Sequence, residues 1–437
     1  MSDYEFEDRG DIEWNEPGLK SLFKSRGRRC TKQRLYEARA SELLAVGDRK
    51  EVIRSLAPDL FNLVYEPWQL YQAWSFLAKH NGQAPGRDER RFSQYSRADV
   101  WGLVTELSDA IRDGTYRPQR EYLKKIDKAN GSGKRCLVIQ SIVDRVVQRA
   151  AFVVLQPLFD KMFVAESFGY RPKRGRLHAL AVIEQQIMSK SQRVWLAHDI
   201  RDAYGNVRLP QLFELLRDYL PDERLMAFLE RVLVSRKVKG LRQGGPLSPL
   251  MLNFYLHHLL DLPWRTKCPN SVLVRYADDL CCGGTDVDTV VAHDQALRSL
   301  LKPVGMRLKA TCDDAVKDLS RGEHLEFLGY RVDLCDGQFR VQILNQSRQR
   351  LRQKFRLAHC KNHSQLRADR IARGWLASKA AAYSSCDPLK ICRKIHHVAR
   401  KYGFEEISSV EELKQIWGRA YVGWIQLRES LGLPDPA

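Results

Sequence analysis

Two adjacent carboxylates interrupt an apolar run in Val272-Leu273-Val274-Arg275-Tyr276-Ala277-Asp278-Asp279-Leu280-Cys281-Cys282. A strand entering and a strand leaving such a pair put both acids at a hairpin tip, where Asp suits the turn backbone; taken alone, the pair reads as a solvated turn. A second apolar segment, Val194-Trp195-Leu196-Ala197-His198-Asp199-Ile200, also ends in a carboxylate. Two strand-borne carboxylate sets on one sheet can hold a pair of Mg²⁺ ions, which prefer oxygen ligands and keep water and substrate phosphates in their remaining positions. Paired ions of this kind stabilise the attacking and leaving oxygens of an in-line phosphoryl transfer. The chemistry expected of Asp199, Asp278 and Asp279 is therefore nucleotidyl transfer.

The elements that must position these acids alternate. The apolar spacing predicts helices over 97–113, 144–162, 176–188, 209–220, 249–261 and 285–304, with short strands around 193–200, 271–276, 280–282 and 324–332, an α+β arrangement. No fixed-period repeat runs through the chain, which argues against a solenoid. With 437 residues, 44% hydrophobic and 29% charged, the composition is that of a globular protein of two to four domains and excludes disorder as the dominant state.

Seventy-two Lys and Arg against 53 Asp and Glu give a formal charge of +19, an excess that calls for a polyanionic partner. The charge is uneven: residues 1–17 carry seven acids and one base, whereas residues 345–403 carry fifteen Lys or Arg and two Asp. The basic region is rich in helix formers, and Leu351, Phe355, Ile371 and Trp375 recur at roughly helical spacing, so it reads as a small helical domain facing nucleic acid. Apolar runs such as Ala150 to Leu158 are broken well short of the ~18 residues a membrane span needs, and no signal segment opens the chain; the expected address is cytoplasmic, with no membrane partner. The ten cysteines are scattered without a CxxC pair and read as reduced thiols. His359, Cys360 and His363 lack a second ligand pair at zinc spacing.

Further blocks surround the acids in a fixed order. They are Asn81-Gly82 with Pro85-Gly86-Arg87-Asp88; Gly114-Thr115-Tyr116-Arg117-Pro118; Ile126-Asp127-Lys128 with Lys134-Arg135 and Asp144-Arg145-Val146-Val147-Gln148; and Ser167-Phe168-Gly169-Tyr170-Arg171-Pro172. After Asp199 come Gln243-Gly244-Gly245-Pro246-Leu247-Ser248-Pro249, the Tyr276-Ala277-Asp278-Asp279 tip and Phe327-Leu328-Gly329-Tyr330. In this order, over roughly residues 80 to 335, the sequence resembles the reverse transcriptases, specifically the bacterial branch related to group II introns.

The resemblance implies a right-hand polymerase: an N-terminal extension over 1–80 (acidic tail, then mostly helix), fingers and palm with an antiparallel palm sheet over 81–340, and a basic α-helical thumb over 341–437. It makes Asp199 and Asp278 the principal ligands of two Mg²⁺ ions, with Asp279 beside them. Lys128 and Arg135 would clamp the incoming triphosphate. Asp202 and Tyr204 would line the nucleotide site, the Tyr204 ring excluding a ribose 2′-hydroxyl; a core aromatic at a strand end is the other reading of Tyr204. Gln243 and Gly244 would lie over the templating pair, and Gly329 would help hold the primer end. Arg373 and Trp375 fall in the thumb's R-G-W block, facing primer and template, with a core role for Trp375 weighed beside base stacking. The family's late Lys-Thr reads Lys309-Ala310-Thr311-Cys312 here, which leaves Lys309 as the candidate proton donor, and the fingers' Ile-Pro-Lys reads Ile126-Asp127-Lys128.

The resemblance also implies the activity of an RNA-directed DNA polymerase using dNTPs. Since the sequence ends with the thumb at Ala437, the expectation is a stand-alone enzyme similar to the defence-associated reverse transcriptases of the type 2 group, which copy a structured noncoding RNA into cDNA during phage infection. Two alternatives stay open: a splicing cofactor of the group II maturase type, and a protein-primed, untemplated DNA polymerase of an abortive-infection system.

Overall fold

The computed structural model describes residue 36 and residues 38–80, 84–127, 134–359 and 364–433. The acidic tail and Lys128 lie outside them. After a helical stretch over 38–46 come α1 (Arg49–Tyr65), α2 (Pro67–His80) and α3 (Arg97–Arg112). Asp48 caps α1 by accepting from Glu51 N, and Ser96 with Asp99 forms a reciprocal capping box on α3, so side chains satisfy the amides that each first turn leaves open. An antiparallel hairpin, β1 (Tyr122–Asp127) and β2 (Lys134–Ile139), precedes the long helix α4 (Ile142–Met162).

Next come α5 (Arg176–Ser189), β3 (Val194–Asp199), α6 (Leu209–Tyr219), α7 (Glu223–Leu233) and α8 (Ser248–Leu256). Helix α8 passes through a π-helical turn, His257–Asp261, into α9 (Leu262–Lys267). Then follow β4 (Val274–Tyr276), β5 (Asp279–Gly284), α10 (Val287–Leu301) and β6 (Val316–Asp318). The central sheet has the antiparallel order β4-β5-β3-β6.

That sheet lies between two apolar clusters, and the alternation of side chains along a strand divides it between them. Val194 and Leu196 of β3 join the cluster built with α1–α4, α6–α8 and α10, while Trp195 between them joins the other. Strand β5 repeats the division, with Leu280 and Cys282 on the first side and Cys281 on the second. A sheet covered on both faces cannot slip by one residue without exchanging its two apolar sets, so the register that sets the acids opposite one another is strongly specified.

A second antiparallel sheet, β7 (Leu325–Phe327), β8 (Tyr330–Cys335) and β9 (Gln338–Ile343), leads into a bundle of α11 (Asn345–Ala358), α12 (Ser364–Ala377), α13 (Pro388–Lys401) and α14 (Val410–Glu429). The bundle core includes Phe355, Trp375 and Trp417, and α13 buries Cys392, Ile395 and Ala399 while exposing Lys390, Arg393, Lys394 and Arg400. A buried bidentate pair, Arg428 to Glu184 at 2.9 and 2.7 Å, ties α14 to α5.

The α+β class is as expected, with three differences in detail. The segment expected as one strand over 324–332 is two, because Leu328 (φ 50°) and Gly329 (φ 84°) take left-handed conformations that turn the chain. The helix expected to reach 261 is α-helical only to Leu256. Strands β1, β2, β6 and β9 and helix α7 were not anticipated. Among the described residues, no helix is long and apolar enough to cross a membrane.

Candidate active site

Antiparallel pairing of β3 with β5 sets Asp199 directly opposite Asp279. Asp278 sits in the turn between β4 and β5, and its backbone carbonyl accepts a hydrogen bond from Ile200 N at 3.0 Å. Asp199, 79 residues before Asp278 in sequence, thus meets the adjacent Asp278 and Asp279 at one end of the central sheet.

The turn depends on Ala277, a non-glycine residue at φ 59°. Its partner is Arg275, a fully buried guanidinium in a strand of three residues. Arg275 donates to both oxygens of buried Asp261, at 2.7 and 2.6 Å, and through Nη1 to Asn253 Oδ1 at 2.8 Å and the Ala277 carbonyl at 3.2 Å. Asp261 closes the π-helical turn, an irregularity that recurs at functional sites. A buried, bidentate, fully satisfied pair of this type holds geometry more than it adds stability.

The Ser167-to-Pro172 block closes the turn from behind. Phe168 N donates to Arg275 O at 2.8 Å, Arg275 N to Glu166 O at 2.9 Å, and Asn253 Nδ2 to Gly169 O at 2.7 Å. A Cβ on Gly169 would stand 2.4 Å from Ala277 N, a backbone atom with no room to withdraw. We therefore expect Gly169→Ala to shift the acidic turn and to lower nucleotide incorporation by about a hundredfold, the typical effect of an ångström-scale misplacement. A thermal melt should move far less, and single-turnover assays beside the melt check the separation.

Electrostatics mark the same point. Burial, followed by the charges of Asp278 and Asp199, pushes the Asp279 carboxyl up to about 7, with Lys309 and Arg176 pulling it back. Lys309 N donates to Asp199 O at 2.9 Å, and its Nζ meets Asp199 Oδ1. The Lys309 loop is fixed from α10. Arg298 Nη2 donates to the Ala310 carbonyl at 2.9 Å, Arg298 pairs with Asp294 at 2.7 Å, and Asp294 reaches His198, the neighbour of Asp199, at 2.7 Å.

Among the described residues no three His, Cys, Asp or Glu side chains already converge as a metal cage. The donor set nonetheless suits divalent cations. Three carboxylates are hard oxygen donors, and their mutual repulsion is what bound positive charge relieves.

The other residues singled out in the sequence fall in three places. Asp202 (φ 46°, exposed) and half-buried Tyr204 form the turn just after Asp199. Leu241 N donates to Tyr204 O at 2.8 Å, which lays this turn against the loop carrying Gln243 and Gly244 (φ 111°). That loop meets the β1–β2 hairpin, where Val138 N donates to Gln243 O at 3.1 Å. Arg135 is on β2 and pairs through its backbone with Ile126, but its side chain, like Lys128, is outside the described set. Gly329 turns the chain between β7 and β8. Arg373 is exposed on α12 and pairs with Asp369 at 3.3 Å.

Of the two roles weighed for Trp375, the structure has the core one and not the one beside primer and template. It is 8% exposed and donates its indole N–H to Ser347 O at 3.2 Å, so it fills the bundle core between α11 and α12. Aromatic size at a helical period carries no information about which face it takes.

The sequence reading missed the supports behind the site. Besides Arg275, Asp261 and Asn253, buried Arg242 pairs with Glu121 at 2.6 Å and caps the end of α7 through the Val232 and Leu233 carbonyls at 2.7 and 2.9 Å, fixing the residue just before Gln243. A charged residue inside an apolar strand, as at Arg275, was the available signal.

The chain is similar to several known proteins. Residues 126–332, which include the three acids, match the family model described as reverse transcriptase (RNA-dependent DNA polymerase). The group II intron-encoded protein LtrA of Lactococcus lactis subsp. cremoris is 26% identical over 238 residues, 51% of this chain and 37% of that one. Protein YkfC of Escherichia coli (strain K12) is 28% identical over 211 residues, 45% of this chain and 55% of that one. The chain thus spans between about a third and just over half of the length of these relatives. Among solved structures, telomerase from Candida albicans in complex with a fragment of telomeric RNA is 12% identical with a TM-score of 0.39, covering 72% of this chain and 64% of that one. Residues 126–332 are a reverse transcriptase domain, with group II intron-encoded proteins among its relatives.

Proposed function

We propose that the chain is an RNA-directed DNA polymerase that extends a primer on an RNA template with deoxynucleotides. The observation that carries this reading is the pairing of Asp199 with Asp279 across β3 and β5, with Asp278 in the adjoining turn. Asp199, Asp278 and Asp279 would hold two Mg²⁺ ions, which when bound supply charge stabilisation to the attacking and leaving oxygens. The residues around them orient the reactants. The Tyr204 turn and the Gln243–Gly244 loop would border one side of the nucleotide site, Lys128 and Arg135 would take the triphosphate, and Lys309, held beside Asp199, would give a proton to the leaving group. The basic surface of the α11–α14 bundle would grip the hybrid through phosphates, with Arg373 on that surface and Gly329 at the primer end. In this reading residues 81–340 serve as fingers and palm and the bundle as thumb.

For the finer role, we favour copying of a structured noncoding RNA into cDNA in a cytoplasmic antiphage system. A splicing cofactor is the second reading, favoured by the name of the Lactococcus relative. Purified protein given an RNA template annealed to a DNA primer, Mg²⁺ and four dNTPs should extend the primer with template-dictated sequence. No extension on primed RNA, or equal synthesis without template, would overturn the proposal. Splicing that survives alanine at all three acids would identify the cofactor role, and DNA covalently attached to the protein would identify protein priming.

A further inference from the structure

Lys379 is a lysine in an unfavourable place. It follows α12 and is 1% exposed, at the seam between the helical bundle and the β7–β8 turn. Its Nζ donates to the Gly329 carbonyl at 3.0 Å and lies 4.3 Å from the centroid of the Tyr330 ring. Its own carbonyl accepts the indole N–H of Trp417 at 2.9 Å, and the Tyr330 hydroxyl donates to the carbonyl of Ser378, so backbone and side chain are both fixed. A Cβ on Gly329 would stand 3.2 Å from Nζ.

Among the described residues no carboxylate pairs with this ammonium. The charged groups that face it are cations: Arg176 at the start of α5, and Arg350 and Lys354 on α11, all exposed. The remaining titratable neighbour is the Tyr330 phenol, which burial pushes up and keeps neutral. Burial first, then those three positive charges, push the Lys379 amine down to about 7 from an ordinary 10.5. A buried cation among cations weakens the fold by desolvation and repulsion, and an apolar chain such as Met would fill the same space without either penalty. What relieves this arrangement is an anion laid across Arg176, Arg350 and Lys354.

We propose that Lys379 is a positioning residue for the primer end, fixing the Leu328–Gly329 turn to the helical bundle more firmly when a phosphodiester strand docks on the cations around it. The inference rests on the reading of this chain as a primer-extending polymerase and adds a proton to its docking step. The docked strand offsets the field of the three cations while the burial remains, so the amine gains part of a proton from solvent, and the neutral hydrogen bond to Gly329 shifts toward a charge-assisted one, roughly twice as strong. The turn thus stiffens only when a strand is there to be held. Because the bound state carries more protons than the free state, affinity must fall as pH rises through the free amine's value near 7.

The test is the affinity for a short RNA–DNA hybrid, measured without nucleotide or divalent ion from pH 6.5 to 8.5, with calorimetry at pH 7.5 in two buffers of different ionisation enthalpy; every protein in these binding arms also carries Asp279→Asn, because that carboxyl too sits at about 7. Wild type should lose about fivefold to tenfold in affinity between pH 7 and 8.5 and take up roughly half a proton per hybrid at pH 7.5. Lys379→Arg, charged at every pH tested, should bind with a flat profile and no uptake. Lys379→Met should bind weakly throughout, also without uptake. Uptake that persists in either variant, or a flat wild-type profile, overturns the role of Lys379. Primer extension reads the polymerase separately: extension without proton uptake sinks this inference alone, whereas uptake without extension sinks the polymerase and leaves Lys379 standing.

Discussion

Asp278→Ala should reduce nucleotide incorporation by on the order of a thousandfold or more while leaving affinity for an RNA–DNA hybrid within about twofold of wild type. The carboxylate is asked to hold charge at the reacting phosphate, and no neighbour substitutes for it, since Asp279 faces Asp199 from β5 and is itself pushed up to about 7 by burial and by the other two acids. Hybrid affinity, by contrast, is assigned to cations distant in sequence on α11–α14. The fold should tolerate the change. The backbone carbonyl of Asp278 on Ile200 N is a contact that alanine keeps, and Arg275 fixes the turn through Ala277 O. Deleting one of three crowded acids also relieves repulsion, so the melting temperature should stay level or rise, as is common when a functional group is removed from a strained site. Single-turnover extension, hybrid binding in the absence of divalent ions and a thermal melt check the three parts. Equal loss of catalysis and hybrid affinity in a folded variant would defeat the assignment of the two tasks to separate regions.

The parts of this architecture legible in the sequence were those that leave a local trace. Apolar strands ending in acids announced β3, β4 and β5, and the helical periods of α3, α4, α5, α6 and α10 ended within about three residues of their observed limits, the usual uncertainty at frayed ends. The basic stretch after Gln346 read as helical because Leu351, Phe355 and Trp375 return at helical spacing, and it is. What did not show has a common physical origin. Strands β1 and β2 carry Lys124, Lys125, Lys134 and Arg135, and a hairpin held by its own backbone ladder needs no apolar alternation to form. Strand β6 has three half-buried residues, and only its pairing with β3 defines it. Helix α7 did leave a trace in Leu225, Phe228, Leu229 and Val232 behind the Asp222 cap, but it was not read.

The same distinction divides the site. The three acids are local features, whereas the groups that aim them act across long separations: Arg275 on Asp261, Arg242 on Glu121, Arg298 on Asp294 and Ala310. A single sequence names the charge in the strand without naming its partner. Trp375 and Lys379 fail in the opposite direction, each being a residue type at home on a nucleic-acid surface that here is 8% and 1% exposed. Burial is decided by the packing of four helices together, and composition sees only one at a time.

Tyr204→Ala should let the enzyme incorporate ribonucleotides, raising the ratio of ribonucleotide to deoxynucleotide kcat/KM by up to about a hundredfold, near the limit of what an apolar wall can enforce against one added hydroxyl. The turn it occupies begins two residues after Asp199 and is anchored through its backbone, while the ring packs against the core cluster. Leu241 N donates to Tyr204 O at 2.8 Å, and a Cβ on Gly240 would stand 2.4 Å from that same oxygen, so the two segments are in close backbone contact. Removing the ring therefore opens space between the acids and the Gln243–Gly244 loop without freeing the turn. Tyr204→Phe keeps the wall and should keep the discrimination, which separates steric exclusion from any contribution of the hydroxyl. If the ring were instead an ordinary core aromatic, Tyr204→Ala would destabilise the chain by about 3 to 5 kcal/mol and leave the sugar preference of the surviving folded protein unchanged. Steady-state incorporation of a single nucleotide of each sugar on the same primed RNA, beside a thermal melt, decides between the two.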